Sequence, residues 1–219
     1  FPGISAGWDL SQEAFLKNNA YVNQLKLRAS YGSLGADQIG NFDSRGLYGG
    51  GFNYGGVSGI APTQLANPNL RWEQNLNFNV GTEFGLFNSR LNGSIEYFSR
   101  TSKDLLQAVN ISLITGFSST LRNIGKINNS GVEIALSGDI IRNDNFRWSA
   151  NANTSLLTSK VKSLYAGQDI LWSDPTGGDA RVPFIYRENE SVYSFYIREW
   201  AGVDKTNGKP VWYVNDPEN

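Results

Sequence analysis

The sequence predicts an all-β protein, and more specifically an antiparallel up-and-down segment of a transmembrane β-barrel with about seven or eight strands. First, apolar and polar residues alternate over stretches as long as residues 71–87, which exceeds the roughly 9–11 residues that a tilted strand needs to cross a bilayer. Second, short turns alternate with long loops. Third, aromatic residues collect toward the ends of the alternating stretches: Trp8, Tyr31, Trp72, Phe84, Phe87, Tyr97 and Trp148.

The two-residue period predicts six strands in chain order: residues 4–10, 25–31, 71–87, 91–97, 132–140 and 146–156. A seventh strand, around residues 191–203, follows a less regular pattern. The stretch "SQEAFLKNN" (11–19) predicts a short turn of helix. No uninterrupted apolar run of about 18 residues is present, so the sequence contains no candidate transmembrane helix.

The connections alternate in length. "FNSR" (87–90) and "RNDN" (142–145) are tight polar turns, whereas residues 33–70, 105–126 and 161–190 are long and rich in glycine or irregular. Loops beyond about 15 residues are uncommon in soluble domains, but outer-membrane barrels combine short periplasmic turns with long extracellular loops. We therefore expect the three long loops to lie together at one end, outside the cell.

The same period assigns side chains to two faces of the sheet. The set expected to face lipid is Leu76, Phe78, Val80, Phe84, Ile95, Val132, Ile134, Leu136 and Trp148. The set expected to face a wet lumen is Asn75, Asn77, Asn79, Glu83, Asn92, Glu96, Glu133, Asn151 and Asn153.

Composition argues against several other functions. The net charge is −1, so no bulk electrostatic argument points to a nucleic-acid partner. The chain has no Cys and no His, which removes thiolate chemistry and the commonest general base and metal ligand. We expect no enzymatic activity, no cofactor and no metal, and we interpret the strand carboxylates as solvated lining in preference to a glycosidase pair.

One stretch faintly resembles a calcium-binding loop. "DKTNGKP" (204–210) begins like an EF-hand, but Thr206 stands where the third-position ligand belongs and no Glu follows at the twelfth position. An Asn207-Gly208 hairpin turn is the better interpretation.

Three longer blocks resemble the barrel of SusC/RagA-type TonB-dependent outer-membrane receptors. They are "NQLKLRASYGSLGADQIGNF" (23–42), "NPNLRWEQNLNFNVGTEFGLFNSRLNGSIEYFSRTSKDLL" (67–106) and "NIGKINNSGVEIALSGDI" (123–140). The opening "FPGISAGWDLSQEAFLK" and the later "YIREWAGVDKTNGKPVWY" fit the same family, so the resemblance covers essentially the whole chain.

That resemblance implies a roughly 22-stranded barrel in the bacterial outer membrane, plugged by an N-terminal domain. It also implies import of oligosaccharides or peptides, energy supplied through TonB, and a SusD-like surface lipoprotein over the mouth. The chain has no Met, opens at "FPGISAGW" and stops at "VNDPEN". We therefore expect residues 1–219 to be a partial barrel without the plug or terminal strands, completed by the rest of the same barrel.

The glycine-rich stretch "RGLYGGGFNYGGVSGIAP" (45–62) carries the one candidate for ligand contact. Tyr48, Phe52 and Tyr54 would stack on sugar rings or grip a peptide in one interpretation. In the other, they pack against the partner lipoprotein or a neighbouring loop. The sequence does not separate these two interpretations.

Two other functions stay open on the sequence. A soluble antiparallel β-sandwich that binds carbohydrate also has alternating strands, but it would bury its apolar faces between two stacked sheets. A barrel fragment captured as a client of outer-membrane assembly or secretion machinery would have this same sequence.

Overall fold

A computed structural model of the chain describes residues 2–37, 39–172 and 184–213. The strands in chain order are β1 (Gly3–Asp9), β2 (Val22–Ala36), β3 (Leu47–Tyr54), β4 (Val57–Gln64), β5 (Glu73–Leu86), β6 (Leu91–Lys103), β7 (Leu106–Asn110), β8 (Ser119–Asn123), β9 (Lys126–Arg142), β10 (Arg147–Ser163), β11 (Ile170–Trp172), β12 (Phe184–Tyr186), β13 (Ser194–Phe195), β14 (Trp200–Val203) and β15 (Pro210–Trp212). Short 3₁₀ turns occur at Leu10–Gln12, Leu113–Thr115 and Tyr165–Gly167. Across the described residues, no helix combines the length and the apolar character needed to cross a membrane.

Six of these strands form one sheet, in the order β1-β2-β5-β6-β9-β10, and every neighbouring pair is antiparallel. The predicted up-and-down order is confirmed. Strands β2, β5, β6, β9 and β10 contain 15, 14, 13, 17 and 17 residues. All five are longer than a bilayer crossing of about 9–11 residues requires. Four of them, β2, β6, β9 and β10, continue beyond the stretches that the sequence predicts, whereas β5 lies within the predicted 71–87.

The short connections lie at one end of this sheet, which we call the turn end. In the turn between β5 and β6, Phe87, Asn88 and Ser89 all have positive φ, near 55°. Between β9 and β10, the side chain of Asn143 accepts hydrogen bonds from the backbone N–H groups of Asn145 and Phe146. The predicted helical turn at 11–19 is reduced to the 3₁₀ turn Leu10–Gln12, followed by hydrogen-bonded turns.

The three long connections start at the opposite end, which we call the loop end, as predicted. Two of them contain hairpins that the sequence does not reveal: β3–β4 and β7–β8. The β3–β4 turn uses Gly55 and Gly56 with φ of 59° and 85°, values that glycine adopts without steric cost. Repeated glycines at positions 49–51 and 55–56 hide the alternation that would have identified these strands.

The predicted seventh strand at 191–203 is wrong as a single element. The chain there forms only the short strands β13 and β14, which belong to two separate small sheets. Among the described residues, the outer edge of β10 pairs only with residues 189–192, through backbone hydrogen bonds to Ser159 and Val161 and a bridge between Lys160 and Ser191. The main sheet in the described residues therefore has six strands, below the seven or eight expected.

The apolar side of the main sheet is largely exposed. Phe78 and Ile134 belong to the same sheet, and the exposed fractions of Phe78, Ile95 and Leu136 are 41%, 43% and 40%. In a β-sandwich these side chains would interdigitate with a second sheet and lose most of their exposure. The single open sheet therefore contradicts the soluble sandwich interpretation.

Two glycines are covered by aromatic rings from a neighbouring strand. A Cβ atom at Gly131 of β9 would lie 2.9 Å from Cζ of Phe98 and would also meet the Leu156 carbonyl oxygen. On the other face, a Cβ at Gly93 of β6 would lie 2.7 Å from Cζ of Phe84. Phe98 is 6% exposed, so the glycine at position 131 makes room for the ring.

We predict that Gly131→Ala lowers the free energy of unfolding of the intact protein by about 1–3 kcal/mol, the usual cost of overpacking. The matched control is Gly32→Ala, because an added Cβ at that strand position meets nothing within 4 Å. Urea titration of the detergent-solubilised protein measures both variants. Equal destabilisation of the two would show that the Phe98 contact is not the cause.

Candidate functional site

The pairing register determines which side chains share a face, because residues directly opposite each other project to the same side of a sheet. One row across the sheet contains Trp8, Leu27, Thr82, Ile95, Ile134 and Thr154. The next row toward the turn end contains Leu25, Phe84, Gly93, Leu136 and Ala152.

All nine residues expected to face lipid lie on this side of the sheet, which we call the apolar face. All nine residues expected to face a lumen lie on the opposite side, which we call the polar face. What each face contacts stays a prediction.

A charged network occupies the middle of the polar face. The Nε atom of Arg28 lies 3.4 Å from Oε1 of Glu83, and its Nη2 atom donates to Oε2 of Glu96. Glu133 lies directly opposite Glu96, and Lys26 lies directly opposite Glu83. Because Arg28 is 45% exposed and both partners are partly exposed, these pairs add at most about 1 kcal/mol each. They suit a hydrated surface.

The loop end is held together by a group of side chains that we call the clasp: Asn67, Glu73 and Asn123. Asn67 donates to the Leu121 carbonyl at 2.7 Å, and Glu73 accepts from the Leu106 N–H at 2.8 Å. Both bonds join the β4–β5 connection and β5 to the β7–β8 hairpin. Backbone groups of separate loops are therefore satisfied by side chains from the loop beside them.

Asn123 makes the largest contribution to the clasp. Its Oδ1 accepts from the N–H of Arg71 at 2.7 Å, and its Nδ2 donates to the carbonyls of Arg71 and Asp104 at 2.6 Å and 2.9 Å. One side chain thus joins three segments: the approach to β5, the exit from β6 and the end of β8.

A polar depression of about 420 Å³ lies beside the clasp. Its lining includes Arg71, Asp104, Arg122 and Tyr165. The guanidinium of Arg122 lies 5.7 Å from the centroid of the Tyr165 ring and donates to its hydroxyl at 3.3 Å. The depression offers guanidinium and amide donors to a polar ligand. Sequence reasoning missed it because its residues come from three separate connections, those between β2 and β5, between β6 and β9, and after β10.

The three aromatic residues proposed for ligand contact are all exposed: Tyr48 by 72%, Phe52 by 48% and Tyr54 by 90%. They do not share one face of the β3–β4 hairpin. A register shift at Gly51 separates Tyr48, opposite Pro62, from Phe52 and Tyr54, opposite Gly59 and Val57. The hairpin therefore brings two of the three residues together.

The "DKTNGKP" stretch forms the turn of the β14–β15 hairpin. Oδ1 of Asp204 accepts from the N–H and hydroxyl of Thr206, and Oδ2 accepts from the Asn207 side chain. The hydrogen bonds from Thr206 lower the pKa of the Asp204 carboxyl. The carboxylate oxygens serve the turn, in agreement with the hairpin interpretation.

A wide antiparallel sheet with one exposed apolar face, one charged face and long loops at a single end defines a segment of an outer-membrane β-barrel wall. The family model for the TonB dependent receptor-like β-barrel matches residues 1–216. The chain belongs to this family, whose barrels are outer-membrane proteins. The SusC/RagA-type resemblance is confirmed.

Named relatives agree with this assignment. The chain is 40% identical over 203 residues to the TonB-dependent receptor P39 of Formosa agariphila, covering 93% of this chain and 19% of that protein. It is 29% identical over 224 residues to the TonB-dependent receptor SusC of Bacteroides thetaiotaomicron, covering 96% and 22%. The chain spans about a fifth of the length of these relatives.

Solved structures agree as well. The RagAB peptide importer in its "open-open" state superposes with a TM-score of 0.81 at 31% identity, over 98% of this chain and 23% of that one. A second structure, of the RagAB peptide transporter, gives a TM-score of 0.76 at 30% identity.

We predict that Asn123→Ala loosens the loop end without unfolding the sheet, because it removes three hydrogen bonds between loops. Amide hydrogen exchange around Arg71 and Leu106 should accelerate about tenfold or more, while exchange in β5 and β6 stays unchanged. Asn69→Ala is the control, since this residue lines the same depression but, among the described residues, only its backbone N–H makes a hydrogen bond, to the nearby Asn67 side chain. Equal acceleration in both variants would contradict the clasp.

Proposed function

We propose that this chain forms part of the barrel wall of an outer-membrane TonB-dependent active transporter. The whole receptor would import oligosaccharides or peptides together with a SusD-like surface lipoprotein, using energy delivered through TonB. Residues 1–219 would be a partial barrel, with the plug domain and the remaining strands supplied by the same receptor. The observation that carries the proposal is the continuous apolar face of a wide antiparallel sheet.

The height of the apolar face suits a bilayer. On β5 it runs from Leu76 to Leu86. At about 3.3 Å per residue and a tilt near 40°, that stretch spans about 25 Å, which is the height of the outward apolar band in outer-membrane barrels.

The positions of two tryptophans support a tilted sheet. Trp8 on β1 lies in the same hydrogen-bonded row as Thr154 on β10, five strands away. Trp148 lies six residues nearer the turn end of β10. If both rings mark one headgroup plane, this offset corresponds to a strand tilt of about 40°. Barrel strands tilt by about 35–45°, so Trp8 and Trp148 fit one aromatic girdle.

The free edges of the sheet support a larger closed barrel. Within the described residues, β1 has one paired neighbour, and β10 is open along most of its outer edge. Unpaired backbone groups in hydrocarbon cost several kcal/mol each. We infer that other strands of the same receptor cover both edges.

The β3–β4 hairpin is our candidate for contact at the mouth. Phe52 and Tyr54, with Val57 on the same side, offer an exposed aromatic surface at the loop end. A transported sugar or peptide, or the surface lipoprotein, would stack on it. The relatives are TonB-dependent receptors and the similar RagAB structure is a peptide importer, which supports a role in transport.

We predict that Phe78→Arg lowers the stability of the full-length receptor by about 1–3 kcal/mol, because it would place a charge inside the hydrocarbon, between the midplane and the edge of the apolar face at Leu76. Its neighbour in sequence supplies the control: Asn77→Arg adds the same charge to the polar face and should be nearly neutral. Urea-induced unfolding in lipid vesicles measures both variants. Equal damage from the two substitutions would contradict the assignment of the faces.

A second prediction concerns the mouth. The double variant Phe52→Ser/Tyr54→Ser should reduce co-purification of the surface lipoprotein with the full-length receptor several-fold, whereas Tyr48→Ser on the other hairpin face should reduce it less. Quantitative immunoblotting of receptor pull-downs measures this. Reduced uptake by cells with unchanged lipoprotein retention would assign the hairpin to ligand contact instead. No change in either property would rule out both roles.

A further inference from the structure

Three lysines gather at the loop end of the apolar face: Lys103 of β6, Lys126 of β9 and Lys160 of β10. Lys103 lies directly opposite Lys126, and Lys160 lies opposite Asn128, one row below Lys126. Each lysine lies an even number of residues from Tyr97, Val132 or Leu156 on its own strand, so all three lysines share the apolar face. We call this group the lysine cluster.

The positive charges of the lysine cluster are not balanced by nearby carboxylates. Like charges directly opposite each other across two strands are destabilising, yet among the described residues no carboxylate pairs with any of the three ammonium groups. The nearest acidic strand residue at this height, Glu73, lies on the polar face and is engaged with the Leu106 N–H. The cluster therefore lacks a counter-ion within the described chain.

Neutral polar groups separate the cluster from the apolar residues. On β6 and β9 these are Ser99, Thr101, Asn128 and Ser130, and Nδ2 of Asn128 donates to the hydroxyls of Ser99 and Thr101 at 3.0 Å and 2.9 Å. From the turn end to the loop end, the face changes from apolar through hydroxyl and amide groups to ammonium groups. That order matches the depth profile from hydrocarbon to a charged headgroup layer.

The lysine cluster stays accessible although loop segments pack beside it. The β7–β8 hairpin is bonded to the polar-face residue Glu73 through its Leu106 N–H, and Ser191 forms a bridge with Lys160 at the outer edge of β10. Lys126 and Lys160 remain exposed, and Lys103 is half-buried. The lysines lie four to six residues beyond Leu156, Tyr97 and Val132, the last apolar residues on this face of their strands, and a lysine stem is long and flexible enough to bend back along apolar surface.

We propose that Lys103, Lys126 and Lys160 bind the phosphate groups of a membrane lipid headgroup in the outer leaflet. This inference rests on the proposed function, because it requires the apolar face to contact lipid. A lipid is favoured over a transported anion because the cluster continues the apolar face and lies across the sheet from Glu83, Glu96 and the rest of the polar face. Thr101 and Asn128 add neutral hydrogen-bonding groups beside the three ammonium groups.

Native mass spectrometry of the full-length receptor in detergent tests the site. The probe is lipid A, a glycolipid with two phosphates, and digalactosyldiacylglycerol serves as its uncharged counterpart. The variant Lys103→Gln/Lys126→Gln/Lys160→Gln should retain lipid A at least tenfold less than wild type and retain the galactolipid equally. The control Lys17→Gln/Lys205→Gln/Lys209→Gln makes the same charge change at exposed lysines elsewhere and should retain lipid A like wild type.

Unchanged lipid A retention in the cluster variant would overturn the proposal, and so would an equal loss in the control variant. Displacement of lipid A by millimolar inorganic phosphate would define a free-anion site and would also overturn it. Heat-modifiable migration on gels establishes that each variant is folded before binding is compared. A failure of the proposed function would be detected by a different experiment: Asn77→Arg and Phe78→Arg would then lower the stability of the receptor equally.

Discussion

The antiparallel register of six strands is the constraint on which the rest of this structure depends. Side chains alternate with a period of two, so a slip of one residue at any pairing would exchange the apolar and polar faces. The backbone ladder keeps Phe78, Ile95 and Ile134 on one side and Glu83, Glu96 and Glu133 on the other. Gly131 and Gly93 support this register, because the rings of Phe98 and Phe84 pack over them on the neighbouring strand.

Sequence periodicity predicted the wall well, because one simple rule governs it. The alternation around residues 76–86 and 132–140 identified the strands, their order and the partition of side chains. The same rule failed at 191–203, where neighbouring aromatics give no clean alternation and the chain divides between two small sheets. It also missed β3 and β4, since glycines carry no side chain with which to mark a face.

The loop end lay outside the reach of periodicity for a different reason. The bonds from Asn67, Glu73 and Asn123 join residues that are 19 to 54 positions apart in the chain. No local sequence pattern encodes such contacts. Asn67, for example, precedes Pro68, and this pair predicts only an ordinary turn. The lysine cluster is an intermediate case: its members are ordinary residues in the sequence, and only the register brings Lys103 against Lys126.

The clasp also bears on how such a protein changes over evolutionary time. Asn67, Glu73 and Asn123 fix the bases of the loops by bonding to backbone N–H and C=O groups. A substitution in the partner loop keeps both of these groups unless it introduces proline, which lacks the N–H. The hairpin tips beyond these bases, such as Tyr54 and Ile114 with 90% and 92% of their surface exposed, take little part in that bonding. A wall with such anchored bases tolerates insertion and exchange of whole tips, so the tips are free to diversify while the sheet beneath stays the same.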